Sequence, residues 1–271
     1  MTADISNCDD RPIGIFDSGI GGLTVMAELS GKLPHESIIY LGDTARVPYG
    51  DKSPETIIRY ALEDAGFLKK NDVKLIIAAC NTVSAVALDV LKKSFDVPVC
   101  GVLEAGAQAV SGIKNKLVVI GTKTTISSGA YQREIRKVAP DLCVECTACP
   151  LLVPLAEEGI NNWNILSGVL DIYLGSHLKS PPDALLLGCT HYPLFVGEFK
   201  RFFSDKVKII SSATAAADMV QTYIADKMIK PHSVTKSPAY RFYVTDTPEK
   251  FINSATRFFG NKIEEAFQIT L

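Results

Sequence analysis

The sequence predicts an α/β protein of two pseudo-symmetric lobes, each a mainly parallel sheet flanked by helices, with the functional site in the cleft between them. Three observations predict it. Short apolar runs alternate with longer segments of helical periodicity from end to end, the pattern of βα repetition. A chain of 271 residues is long for one simple domain and short for three. The two halves also resemble each other.

The first strand is Ile13 to Asp17, which runs into the small loop Ser18-Gly19-Ile20-Gly21-Gly22. Ser37 to Leu41 reads as the second. Ser53-Pro54-Glu55 combines an N-cap, a first-turn proline and a first-turn acid, and Ile57, Ile58, Ala61, Leu62, Ala65 and Leu68 follow at helical spacing. Val73 to Ala79 and Val97 to Val102 are the next strands, with a helix from Thr82 to Leu91 between them. Leu117 to Gly121, Ala184 to Gly188 and Val207 to Ile210 are of the same kind, and a helix is expected over Pro193 to Phe199. Lys230-Pro231-His232 and Ser237-Pro238 mark a loop before a last strand, Tyr240 to Val244, and a last helix.

Laid against itself at an offset of roughly 104 to 110 residues, the chain shows three landmarks in the same order. Ile13 to Gly19 matches Leu117 to Thr122. Leu75 to Thr82, ending in Cys80-Asn81-Thr82, matches Ala184 to His191, ending in Cys189-Thr190-His191. Val97 to Ala107 matches Val207 to Ala217. Such a duplication gives two similar lobes facing each other.

The charge balance is near zero, 28 basic against 30 acidic residues, and no Lys/Arg block exceeds a pair. Nothing therefore marks a nucleic-acid or anionic-membrane partner, and a small molecule is expected. Met1 to Arg11 has neither the basic start nor the apolar stretch of a signal peptide, and the apolar stretch Leu75 to Leu88 is too short and too interrupted to span a bilayer. A cytoplasmic location follows, in which the seven cysteines are thiols, ligands or catalysts rather than a disulfide frame.

Cys80 and Cys189 each end an apolar strand and open a turn into a helix, where α/β proteins place their ligands. A helix amino terminus favours thiolate, and a modest fall from the ordinary value of about 8.5 would supply a usable base. Two thiols on opposite sides of one substrate suit inversion of a stereocentre, one taking a proton from one face and the other delivering one to the opposite face. The loop after Asp17 matches no nucleotide fingerprint, but its glycines let backbone N–H groups approach a carboxylate. Asp17 is either an assistant to a base or a turn-forming residue. His191, two residues past Cys189, can exchange protons near neutral pH. Cys143, Cys146 and Cys149 have a spacing that could suit a cluster or zinc, but no fourth ligand stands at matching spacing, and their apolar neighbours favour buried structural cysteines.

These motifs resemble the glutamate racemase family, from Ile13 to about Phe259. The resemblance is carried by Gly14-Ile15-Phe16-Asp17-Ser18-Gly19, by Gly42 to Gly50, by Cys80-Asn81-Thr82, by Cys149-Pro150 through Pro154-Leu155-Ala156-Glu157, and by Gly188-Cys189-Thr190-His191-Tyr192-Pro193-Leu194. It implies cofactor-independent, metal-free conversion of L-glutamate to D-glutamate for peptidoglycan precursors. Cys80 and Cys189 would be the acid/base thiols, with Asp17 near the first, and Glu157 and His191 near the second. Ser18, Pro48, Tyr49, Gly50, Asn81, Thr82, Thr122, Thr125 and Thr190 would hold the substrate together with Asp17 and His191. Residue chemistry alone does not select Glu157, which reads as a solvated helix end. The resemblance also implies one lobe from residues 1–101 plus 212–271 and another from 102–211, with a homodimer left open. Thr124 stands where the family more often has a smaller residue. Three rivals stand beside it: an aspartate or related racemase on the same scaffold, a thiol redox or iron–sulfur protein, and a two-lobed carboxylate-binding protein.

Overall fold

A computed structural model describes residues 8–271, so most of the polar amino-terminal segment lies outside the described residues. Among the described residues, ten strands form two sheets in which every pairing is parallel. The strands are β1 (Ile13–Asp17), β2 (Ile38–Gly42), β3 (Leu75–Ala78), β4 (Val99–Gly101), β5 (Lys116–Gly121), β6 (Cys143–Ala148), β7 (Ala184–Gly188), β8 (Lys208–Ser211), β9 (Tyr240–Val244) and β10 (Phe267–Gln268). The six-stranded sheet has the order β10-β9-β2-β1-β3-β4 and the four-stranded sheet the order β6-β5-β7-β8.

Four neighbouring strands thus repeat the same topology: β2-β1-β3-β4 in one sheet, β6-β5-β7-β8 in the other. Each landmark of the internal repeat falls on corresponding strands, β1 with β5, β3 with β7 and β4 with β8. The central strands β1, β2, β3, β5 and β7 read as unbroken apolar runs because both faces are covered. In β3, Leu75 and Ile77 enter one core and Ile76 and Ala78 the other. In β7, Leu185 and Leu187 point away from Ala184 and Leu186 in the same way.

The helix Pro54–Lys70 begins as its sequence predicts, with Ser53 Oγ accepting from the Thr56 amide at 3.3 Å. Two segments pass between the sheets: Val102–Gln108, which follows β4, and Ser212–Ala225, which follows β8. The second helix packs on the first and on Leu23–Lys32, and Ser212 Oγ donates to the Leu187 carbonyl of β7 at 2.9 Å. Among the described residues, no helix is long and apolar enough to cross a membrane.

Three expectations change. The segment Cys143–Ala148 is a strand at the edge of its sheet, not a run of buried cysteines: Cys143 is exposed, Cys146 half-buried and only Cys149 buried. Side chains alternate across a strand, so Cys143 and Cys146, three positions apart, leave on opposite faces and cannot share a ligand. The helix after Cys80 breaks at Ala87 into Asn81–Val86 and Leu88–Ser94. After Cys189 the chain makes a tight turn of 3-10 helix, Tyr192–Phe195, with Pro193 in its first turn, before the α-helix Val196–Phe202.

Candidate active site

Strand register brings the carboxyl ends of both sheets to one cleft. Asp17 pairs with Gly42 and Phe16 with Ala78, so Ser18 and Cys80 emerge together just past β1 and β3. Gly121 pairs with Gly188, so Thr122 and Cys189 emerge together past β5 and β7. Between the two sets lies a cavity of about 370 Å³, a size suited to a small molecule.

Both cysteines line this cavity, as do Ser18, Pro48, Tyr49, Gly50, Asn81 and Thr82 from the first lobe and Thr122, Glu157, Thr190 and His191 from the second. Asp17 and Thr125 stand behind this lining. Thr125 belongs to a ring of three hydroxyls, with Thr82 and Thr122 Oγ1 atoms 3.0 Å apart and Thr125 Oγ1 3.3 Å and 2.9 Å from them. Asn81 is fixed at both ends, its amide donating to Ser212 Oγ at 3.2 Å and its carbonyl accepting from Tyr131 at 2.6 Å. The Tyr49 hydroxyl donates to the buried carboxylates Asp43 and Asp64, which holds that wall.

The two thiols have different neighbours. Cys80 Sγ is 3.6 Å from Ser18 Oγ, above Asp17. Asp17 is fully buried, with Oδ2 accepting from the Gly19 amide at 3.0 Å and Oδ1 lacking a partner. Burial pushes the Asp17 carboxyl up, against the pull of His191 and of two backbone amides. Burial, reinforced by the Asp17 charge, also pushes Cys80 up to about 12. The expectation that the helix amino terminus lowers this thiol is therefore reversed: the helix has only six residues, and loss of water around Sγ outweighs its dipole.

Cys189 Sγ lies 3.9 Å from His191 Nδ1, and His191 Nε2 donates to Glu157 Oε1 at 3.0 Å. Burial disfavours the His191 charge, but Cys189 and Glu157 outweigh it and raise His191 to about 10. The same hydrogen bond lowers Glu157, against partial burial. Glu157 is the last residue of the helix Leu152–Glu157, so it is a solvated helix end as its sequence suggests, with its carboxylate turned to His191.

Gly21 makes the close approach between the lobes. A Cβ there would stand 2.4 Å from Thr190 Oγ1 and 2.6 Å from His191 Nδ1. Thr24 Oγ1 reinforces the contact by donating to the Thr190 carbonyl at 2.9 Å.

Residues 23–220 match the family model described as Asp/Glu/Hydantoin racemase. The glutamate racemase of Geobacter metallireducens is 42% identical over 264 residues, covering 96% of this chain and 97% of the relative. The chain belongs to the glutamate racemases of the Asp/Glu/hydantoin racemase family. The Aquifex pyrophilus glutamate racemase is 50% identical over 216 residues, with 79% of this chain and 84% of that one covered. A crystal structure of the Francisella tularensis glutamate racemase in complex with D-glutamate superposes with a TM-score of 0.89 at 40% identity, covering 96% and 98% of the two chains.

Several lining residues of this family member were not singled out from its sequence. Val47, Asp51 and Lys123 stand at the cavity, as do Pro150, Val153 and Pro154. Lys123 directly follows Thr122 past β5, so the rule that ligands bind at strand ends would have found it.

Proposed function

We propose that the protein interconverts L- and D-glutamate in the cytoplasm, with neither organic cofactor nor metal, and so supplies D-glutamate for peptidoglycan precursors. The observation that carries this is the pair of thiols: Cys80 and Cys189, each just past the third strand of its repeated unit, line one small cavity from opposite lobes. The lobes, on this reading, are residues 1–101 plus 212–271 and residues 102–211.

One thiolate takes the α-proton as the Cα–H bond breaks, and the opposing S–H delivers its proton to the other face. The protein ends with the proton on the first sulfur and the charge on the second, ready for the reverse direction. At Cys80 the thiolate is costly, so the ammonium of an incoming amino acid favours it, a positive charge placed where water has been excluded. At Cys189 the protonated His191 supplies that charge from the protein. Ser18, Asn81, Thr82, Thr122 and Thr190, with the backbone of the Pro48–Gly50 wall, offer hydrogen bonds to two carboxylates and to the negative charge that builds at the α-carbon. Asp17 and Thr125 act from behind, the first on Cys80 and the second through the hydroxyl ring.

The test is to incubate the purified protein separately with each enantiomer of glutamate and of aspartate and follow optical rotation. Decay to zero with both glutamate enantiomers supports the proposal. Decay only with aspartate assigns the protein to the shorter substrate, and persistent rotation with all four refutes racemisation of either.

A further inference from the structure

The Glu157–His191 pair sits where packing alone does not hold it. Glu157 is exposed, and its carboxylate is flanked by two cavities: the main one, and a smaller one of about 180 Å³ beneath the helix Pro248–Phe259, lined by Lys250, Phe251, Ser254 and Phe258. What fixes it is the end of its own short helix, and that end is gripped from the other lobe. Gly159, at φ +69°, closes Leu152–Glu157 in a Schellman turn, with the Gly159 amide donating to Ala156 O at 3.1 Å and the Ile160 amide to Leu155 O at 2.9 Å. Over this turn lies the Arg257 guanidinium. Its Nη1 donates to Ala156 O at 3.1 Å and to Glu157 O, and it approaches so closely that a Cβ on Gly159 would stand 2.7 Å from Arg257 Cζ.

The next residue on the same helix reaches the other half of the pair. Phe258 presents its ring against the His191 imidazole, centroids 5.4 Å apart and planes at 81°. One helix of the first lobe therefore touches both members of a second-lobe pair, Glu157 through the backbone that carries it and His191 through its ring.

We propose that Arg257 is a positioning residue for the Glu157–His191 pair, tying the carboxyl-terminal helix of the first lobe to proton transfer at Cys189. The inference rests on the two-thiol racemisation proposed above. Arg257 does not line the main cavity. It acts by holding the Glu157 backbone where Oε1 meets Nε2, and its positive charge suits the carbonyl end of a helix.

A positioning role and a purely electrostatic role predict opposite signs at His191. The charged groups that act on the imidazole are Cys189, Glu157 and Asp17, with Lys250 acting on Glu157 in turn. Deleting the Arg257 charge alone would let His191 rise. Releasing Glu157 from its place removes a hydrogen bond that raises His191, and so lowers it.

The experiment measures the His191 imidazole titration by NMR and kcat and KM for both enantiomers, in the wild type, Arg257→Ala and Arg257→Lys. In Arg257→Ala the His191 titration moves down from its wild-type position and kcat falls by about 10- to 100-fold, the scale of a misplaced acid–base group. Millimolar guanidinium restores part of that loss, and Arg257→Lys lies between the two. Unchanged His191 titration and kcat in a folded Arg257→Ala, or a rise at His191, overturns the proposal. Should Arg257→Ala fail to fold, Arg257→Lys carries the same test, since it keeps the charge without the fork. If the wild type itself fails to racemise glutamate, the parent proposal fails, which is distinct from a wild type that racemises beside an indifferent Arg257→Ala.

Discussion

His191 Nε2 donates to Glu157 Oε1 across 3.0 Å, joining a buried imidazole just past β7 to a carboxylate at the end of a short helix. The pair holds the imidazole in its charged form with Nδ1 toward Cys189.

Glu157→Gln removes the acceptor charge but keeps the shape, so the His191 titration falls from about 10 toward its ordinary value of 6.5. The basic limb of the kcat/KM profile then moves to lower pH. The stability carried by the raised His191 value is complete below about pH 6.5 and is lost as pH rises through about 10. Thermal melts of the wild type and Glu157→Gln across that window should therefore converge toward high pH. A wild-type advantage that grows above pH 7 contradicts this assignment.

Asp17 is a buried carboxylate with one oxygen unpartnered. Because its folded value is raised, its ionisation costs stability as pH rises above 3.8. Asp17→Asn should raise Tm at pH 7 by roughly 2–4 °C while lowering kcat, the exchange of stability for function expected where a site is held under strain. Calorimetry beside an activity assay checks both, and a fall in Tm with unchanged kcat sinks the claim.

Gly21→Ala places a methyl against Thr190 and His191 in a space that holds none. Either the imidazole turns away from Cys189 or the lobes separate, and kcat should fall by about 100-fold. A variant retaining full activity would show that this approach leaves His191 free to adjust.

The strands were legible where both faces are buried: Ile13–Asp17 and Ala184–Gly188 have the bounds that their sequences suggest. Tyr240–Val244 was found with the same bounds although Tyr240 and Arg241 are exposed, because the Pro-rich loop before it and its aromatic run mark it. β6 was not, because an edge strand with one face to solvent interleaves Glu145 and Thr147 with its cysteines and shows no apolar run. The repeat held the missing signal: β6 begins 105 positions after β2, within the offset of the other landmarks. β10, two residues long, leaves too little pattern to detect.

At the site, Cys80 and Cys189 were legible together because strand, turn and repeat all marked them. Glu157 was reached only through the family resemblance and Arg257 not at all, since Glu157 meets His191 across 34 positions and Arg257 meets Glu157 across 100, contacts that only the tertiary fold creates. The direction of the Cys80 shift depends on how deeply Sγ is buried, which no local motif records.

In the proposed mechanism, two thiols act from opposite faces of one carbon. The measurement that tests it most directly is α-proton exchange by NMR, with L- and D-glutamate incubated separately in deuterated water, for the wild type, Cys80→Ser and Cys189→Ser. The wild type should exchange both enantiomers and racemise them. Each variant should lose racemisation by several orders of magnitude, and the two should differ in which enantiomer still exchanges. Full racemisation in either variant, or the same residual exchange pattern in both, contradicts a mechanism in which each cysteine serves one face.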